Sequence, residues 1–247
     1  MTASRQARFS ARTARPAKLP PMLPPLHPWH SRLTRRLVPA LLCLAGAAVA
    51  QDPPARIGHA SLVAGAVQHS VDGQAWGPAS PGWPLTTGSA LRTPREARAE
   101  LRIGSTALRL AAQGELHFDR LDDQAVALRL TSGRLTVRQR RWGGAGDRLS
   151  VDLAGLRFDA EGAGSYHFDV EPDGPRVAAR VFEGSGTLTL GGQRLALASG
   201  QQVVADRRSA TVLQQGPAER SPIDEWSDRR ELRTGLRGAL AERRGDG

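Results

Sequence analysis

From Ala60 to Leu213 apolar and polar residues alternate with a period of two. Clear stretches are Ala99-Glu100-Leu101-Arg102-Ile103, Ala107-Leu108-Arg109-Leu110, Ala127-Leu128-Arg129-Leu130, Leu149-Ser150-Val151-Asp152-Leu153 and Thr187-Leu188-Thr189-Leu190. Successive side chains of a strand point to opposite faces, so this pattern places Leu, Ile and Val on one face and Arg, Glu, Thr and Ser on the other. Gly104-Ser105, Ser132-Gly133, Gly143-Gly144, Asp173-Gly174 and Gly191-Gly192 supply turns at brief intervals. No segment of this region sustains an apolar 3.6-residue period. The pattern predicts an all-β body over residues 60–213, an antiparallel sandwich or roll of short strands.

The strands repeat. Residues 108–119 (Leu-Arg-Leu-Ala-Ala-Gln-Gly-Glu-Leu-His-Phe-Asp) resemble residues 156–169 (Leu-Arg-Phe-Asp-Ala-Glu-Gly-Ala-Gly-Ser-Tyr-His-Phe-Asp), and residues 195–206 are a looser third copy. The likeness continues, since Val126 to Leu130 then Gly133 to Val137 match Val177 to Val181 then Gly186 to Leu190. The unit is strand, glycine turn, strand, as in a stacked or pseudo-symmetric β architecture.

Two segments depart from the alternation. After Leu213, Gly216-Pro217 breaks the last strand, and residues 214–247 read as a charged tail with a short C-terminal helix. Ser221-Pro222-Ile223-Asp224-Glu225-Trp226 is a cap and first turn, with proline at the first helical position and acids behind it. Trp226, Leu232, Leu236 and Leu240 share one broad stripe, which fits a solvated terminal helix or, less simply, an element that docks on a partner. At the other end, Arg32, Arg35 and Arg36 precede the apolar run Leu37 to Ala47, and Ala48-Val49-Ala50 is a small-x-small cleavage pattern. This is an export signal over residues 1–50 with an extended basic leader, cleaved after Ala50, and residues 51–59 form a short lead-in. The run is short of the roughly 20 residues a membrane span needs, so membrane contact is expected only during export; an uncleaved anchor is the alternative. Thr34-Arg35-Arg36-Leu37-Val38 partly resembles a twin-arginine signal, with ordinary secretion preferred. The expected compartment is the periplasm.

Removing the leader changes the composition. The whole chain carries 34 Lys+Arg against 24 Asp+Glu, a formal +10. Residues beyond 50 carry 26 arginines against the same 24 acids, a balance of +2, with the two signs interspersed. The nucleic-acid reading that a basic chain invites therefore lapses. Cys43 lies in the leader, so the exported part has no thiol for a disulfide or a metal.

Candidate chemistry is sparse. His117 with Asp119 and His167 with Asp169 occupy equivalent places in two copies, each His and Asp two apart on one face of a strand. Two such pairs could hold a metal if the copies stack; the plainer reading is a polar outer face bracketing a core Phe. Trp76 and Trp83 flank the Gly/Pro-rich loop Gly77 to Gly82, either as an exposed binding edge or as a lid over the end of the sheet. With Trp226 they are the expected partner-binding residues. No nucleophile elbow, phosphate loop, dinucleotide fingerprint or zinc spacing occurs, and no catalytic residue or cofactor is expected.

In combination, several phrases resemble the FecR family of periplasmic β domains over residues 60–206. They are Gly65-Ala66-Val67 with Trp76, Pro84 to Thr93 (Pro-Leu-Thr-Thr-Gly-Ser-Ala-Leu-Arg-Thr), Ala97 to Leu101, Leu128 to Leu135, Val181-Phe182-Glu183-Gly184, and Ala198 to Val203. The resemblance implies a β domain that binds another protein. The regulators that name the family carry a cytoplasmic anti-sigma segment and a transmembrane helix before this domain; here only the leader precedes the apolar run. A soluble periplasmic binding or signalling module with an envelope protein as partner is therefore expected. The alternatives are a structural, cell-wall-associated protein that holds anionic polymer on an arginine-rich face, and a sigma-factor regulator if the apolar run is an anchor.

Overall fold

A computed structural model describes residues 56–141 and 147–245, the last twelve of these in backbone only. The expected export signal, residues 51–55, Trp142, the expected Gly143-Gly144 turn and the side chains of Leu236 and Leu240 lie outside the described residues. In chain order the elements are β1 (Gly58–Ala64), β2 (Gln68–Ser70), β3 (Gly77–Pro78), β4 (Pro84–Leu85), β5 (Ala90–Thr93), β6 (Arg98–Ile103), β7 (Thr106–Leu110), β8 (Gly114–Leu121) and β9 (Ala125–Gln139). The second half continues with β10 (Arg148–Leu153), β11 (Leu156–Ala160), β12 (Gly164–Val170), β13 (Arg176–Glu183), β14 (Ser185–Leu190), β15 (Gln193–Ala198), β16 (Gln201–Asp206), β17 (Thr211–Pro217) and the helix α1 (Pro222–Gly245). The all-β expectation with one C-terminal helix is met.

The strands form two packed sheets that share β9. Sheet A runs β4-β1-β6-β7-β9-β12-β13-β16-β17. Sheet B runs β3-β2-β5-β8-β9-β10-β11-β14-β15. The first half of β9 pairs with β8 and β10 in sheet B, and the half after Gly133 pairs with β7 and β12 in sheet A. Every pairing is antiparallel except β9 with β10, which is parallel.

The strand that changes sheets also changes phase. Val126, Leu128 and Leu130 are buried in the first half of β9, and Leu135 and Val137 in the second, so the inward positions pass from even to odd numbers. The passage from β13 to β14 does the reverse: Val177, Ala179 and Val181 point inward before Gly184, and Leu188 and Leu190 after it. Each switch sits on a glycine with positive φ, +83° at Gly133 and +87° at Gly184. Ser132-Gly133, expected to be a turn, is instead this switch inside a 15-residue strand. The repeat seen in the sequence is thus real in space, but its glycine serves to hand a strand from one sheet to the other.

The core fills the gap between the sheets. Phe158 of β11, in sheet B, meets Tyr166 and Phe168 of β12, in sheet A, at ring-centroid distances of 5.4 and 5.1 Å. The Tyr166 hydroxyl donates to the carbonyl of Gly162 at 2.6 Å, which satisfies the polar end of a buried ring. Leu101, Leu108, Leu116, Phe118, Leu128, Leu135 and Val151 complete the layer, each of them an inward position of the alternating pattern.

The switch glycines have no room for a side chain. A Cβ on Gly133 would stand 2.4 Å from Cα of Gly114, and one on Gly184 would stand 2.6 Å from the carbonyl oxygen of Ala163. Gly200 also has positive φ, but nothing lies within 4 Å of its Cβ position. Gly133→Ala is expected to cost about 3 kcal/mol or more, the left-handed backbone penalty plus displacement of a neighbouring strand, whereas Gly200→Ala costs only the backbone part, about 1–2 kcal/mol. Urea unfolding midpoints of the two variants would check this, and equal losses would refute it.

Candidate functional site

Antiparallel register sets one row of polar side chains straight across the outer face of sheet A. Glu100 faces Arg109, Arg109 faces Thr136, Thr136 faces His167, His167 faces Arg180 and Arg180 faces Gln202. The outer face of an antiparallel sheet is normally solvated. Here all but Arg180 are buried: Arg109 is 0%, and Glu100 and Gln202 are 1% exposed. What covers the first four is α1.

The fit follows from two spacings. A helix turn advances about 5.4 Å and neighbouring strands lie about 4.8 Å apart, so a helix crossing a sheet offers roughly one side chain per strand every three to four residues. Asp224 Oδ1 meets His167 Nδ1 on β12 at 2.6 Å. Ser227 Oγ lies 3.2 Å from the Thr136 hydroxyl on β9 and accepts from Arg109 Nη1 on β7 at 2.7 Å. Glu231 accepts from Arg109 Nη2 at 2.5 Å, and Arg230 Nε donates to Glu100 on β6 at 3.0 Å. Glu100 in turn accepts from Arg109 Nε at 3.0 Å and pairs with Arg102 at 3.2 Å. Arg140, just beyond β9, pairs with Glu231 from the other side.

Asp224 has two tasks. Its Oδ2 accepts the backbone N–H of Ser221 at 2.6 Å, the carboxylate half of a capping box that starts the helix, while its Oδ1 docks that helix on His167. The cap expected from the sequence is therefore also the contact with the sheet. Among the described residues, the expected apolar stripe does not carry the docking. Leu232 is 67% exposed, and Trp226 is half-buried with the Arg98 guanidinium 5.1 Å from its ring. The solvated-helix reading fails for the first three turns, where the face against the sheet is Ile223, Asp224, Ser227, Arg230 and Glu231. Beside the helix, Arg138, Arg140, Ser165, His167, Phe182 and Glu231 line a cleft of about 560 Å³.

The other residues singled out in the sequence are spread apart. His117 lies on β8 in sheet B and His167 on β12 in sheet A, so the two His-x-Asp pairs do not meet. His117 Nε2 contacts Glu115 at 2.7 Å, and Asp119 pairs with Arg129 at 2.6 Å. Asp169 is held between Arg134, at 2.7 Å, and Arg180. Trp83 packs against the core with the His69 ring 3.7 Å from its own, and the Arg92 guanidinium lies 3.9 Å over Trp76. Both tryptophans are half-buried.

The sheets end in four edge strands of unequal character. β3 and β4 are two residues long and each contains a proline, Pro78 and Pro84. β15 carries Arg194. β17 is seven residues long (Thr-Val-Leu-Gln-Gln-Gly-Pro), bears no charge, pairs on one side with β16, and exposes Val212 and Leu213 by 39% and 51%.

Burial would raise the pKa of Glu100, but the hydrogen bond from Arg230 and the adjacent Arg109 outweigh it and hold the carboxyl at about 2. Asp224 and Glu231 are likewise raised by burial and lowered further by their partners, His167 for one and Arg140 and Arg109 for the other, with a net downward shift. A carboxyl with a depressed folded-state pKa contributes stability that is present above its ordinary value and lost as pH falls through the folded one. For Glu100 that window runs from 4.5 down to about 2. Urea midpoints should fall across this range and the fall should be shallower in Glu100→Gln. Glu100→Ala, which strips Arg109 of a buried partner, should cost about 3 kcal/mol or more at neutral pH.

No protein-family model and no curated protein sequence matches the chain, so the resemblance to the FecR family rests on the phrases quoted from the sequence. Two crystal structures, at 2.50 and 1.65 Å, of a candidate anti-sigma factor from Parabacteroides distasonis ATCC 8503 are similar, with 12% identity and a TM-score of 0.48. The match covers 56% of this chain and 63% of that one, and so less than two thirds of that structure's length.

Proposed function

We propose that this chain, exported to the periplasm, is a non-enzymatic FecR-like binding and signalling module that meets another envelope protein by strand addition at β17. The observation that carries the reading is the state of that edge. Unpaired N–H and C=O groups along a sheet edge are a template for another strand, and proteins commonly blunt such edges with proline, charge or brevity. β3 and β4 have brevity and proline, and β15 has a charge. β17 has none of these until its last residue; it bulges once against β16, at Leu213, and its side chains Val212 and Leu213 are exposed beside the free edge. Main-chain pairing would supply affinity and the exposed side chains specificity.

The cell-wall alternative draws on the arginines of sheet B, and most of those are already matched to acids. Arg92 pairs with Glu115 at 2.7 Å, Arg120 with Asp122 at 2.5 Å, Arg129 with Asp119 at 2.6 Å and Arg157 with Asp159 at 2.7 Å. A face so balanced offers an anionic polymer little net attraction.

The test is affinity capture from an envelope fraction with the wild type and with Val212→Lys/Leu213→Lys, which charges the edge on residues that are already exposed. One specific protein should be recovered by the wild type and reduced about tenfold with the variant, a loss of roughly 1.4 kcal/mol in affinity, while urea midpoints stay equal. Recovery of no specific protein, or equal recovery by both, would overturn the reading.

A further inference from the structure

The docking of α1 has an unusual balance. Among the described residues it places against sheet A, Ile223 is the one buried aliphatic and Trp226 is half-buried beside Arg98; the others are Asp224, Ser227, Arg230 and Glu231. The sheet answers with Glu100, Arg109, Thr136 and His167, all polar. Apolar burial, the main source of cohesion between packed elements, is therefore small here, while desolvation of the charges offsets much of their mutual attraction.

Each partner on the sheet also keeps contacts of its own. Glu100 retains Arg109 and Arg102, both within sheet A, and accepts from the Ser61 hydroxyl at 3.0 Å. Arg109 retains Glu100. His167 retains Ser165, 3.1 Å from its Nε2, and the ring of Phe182 at 4.5 Å. Lifting the helix would thus leave no charge both buried and alone, and would expose a row that suits water as well as any outer sheet face. The connection fits a hinge. Ala218 N–H donates to Gly200 O at 2.7 Å and Glu219 N–H to Gln202 at 3.3 Å, which anchors the chain at the start of β16 up to Glu219, two residues short of the helix.

We propose that α1 is a releasable strap: its docked turns, Pro222 to Glu231, leave sheet A as a unit while the two sheets stay folded, and release opens the cleft beside the helix onto the row Glu100–Arg109–Thr136–His167. The attachment is ionic, so salt favours release. The wall that the helix gives the cleft (Ser227, Asp228 and Glu231) departs with it, leaving Ser165, His167 and Phe182 open to solvent. This inference stands apart from the strand-addition reading, because it rests on the face of sheet A and not on its edge.

Amide hydrogen exchange on the full chain as secreted tests it. In low salt the amides of residues 226–231 should exchange at one common rate, about a hundredfold faster than those of Leu135 to Val137 in β9. Raising NaCl from 0.05 to 1 M should speed the helix about fivefold and leave β9 unchanged, since release brings the paired charges into water, where salt stabilises them apart. Arg230→Gln/Glu231→Gln, which alters only the helix, should speed it further with the urea midpoint of the sheets unchanged. Exchange of helix and β9 at one shared rate would overturn the proposal. So would a rate graded along the helix from its C-terminal end, which is fraying, or a helix rate indifferent to salt.

Discussion

Everything in this fold depends on one strand belonging to two sheets. β9 enters as the middle of sheet B and leaves as the middle of sheet A, and both sheets are built outward from it. A strand can serve two facing sheets only if its inward side chains stay inward after it crosses, and with a period of two that requires a phase change at the crossing. Gly133 provides it with a positive φ and a backbone that lies against Gly114, the first residue of β8. Gly184 repeats the device against Ala163 and Gly164, at the start of β12. Glycine is required there twice over, for conformation and for space.

The single parallel pair is a consequence of that crossing. Parallel neighbours need a long connection that returns the chain to the same end of the sheet. Here the second half of β9 is part of that connection: the chain travels through sheet A, then returns to sheet B as β10, beside the first half of the same strand. The usual crossover element is a helix; here the described part of the crossover includes a strand that contributes to the opposite sheet. Later hairpins alternate between the sheets, with β10–β11 in B, β12–β13 in A, β14–β15 in B and β16–β17 in A.

The alternating pattern made the strands legible, because burial in a sandwich follows period two closely. Leu101, Leu108, Leu128, Leu135 and Val151 all face inward as the pattern requires. The repeat was legible as well, yet its meaning was not. Ser132-Gly133 looks the same in sequence whether it turns the chain back or passes it on, and the deciding sign, inward positions moving from even to odd, is easily taken for a gap between strands. The site was hidden for a different reason. Apolar periodicity in the tail points to Trp226 and Leu232, but the polar contacts that fix the helix on the sheet come from Asp224, Ser227, Arg230 and Glu231. Charged residues at three- and four-residue spacing are the ordinary look of a solvated helix face. The one visible hint was Asp224, which caps the helix, and nothing local says that its second oxygen reaches His167.

A polar interface between a helix and a sheet favours one placement far more than it stabilises it. An apolar helix can slide on an apolar sheet at small cost, since every register buries much the same area. The row on sheet A allows no such freedom: Arg109 has its Nε on Glu100, Nη1 on Ser227 and Nη2 on Glu231, and a shift of one residue along the helix would leave two of these donors without acceptors. Geometry is therefore specified by hydrogen bonds while cohesion stays modest, the combination expected of an element that must return to one position after leaving it. Stability of the body comes instead from the layer between the sheets, where Phe158 bridges to Tyr166 and Phe168, and that layer does not involve α1. The two roles are separated in space, so the polar face can change its cover without disturbing the core that holds it.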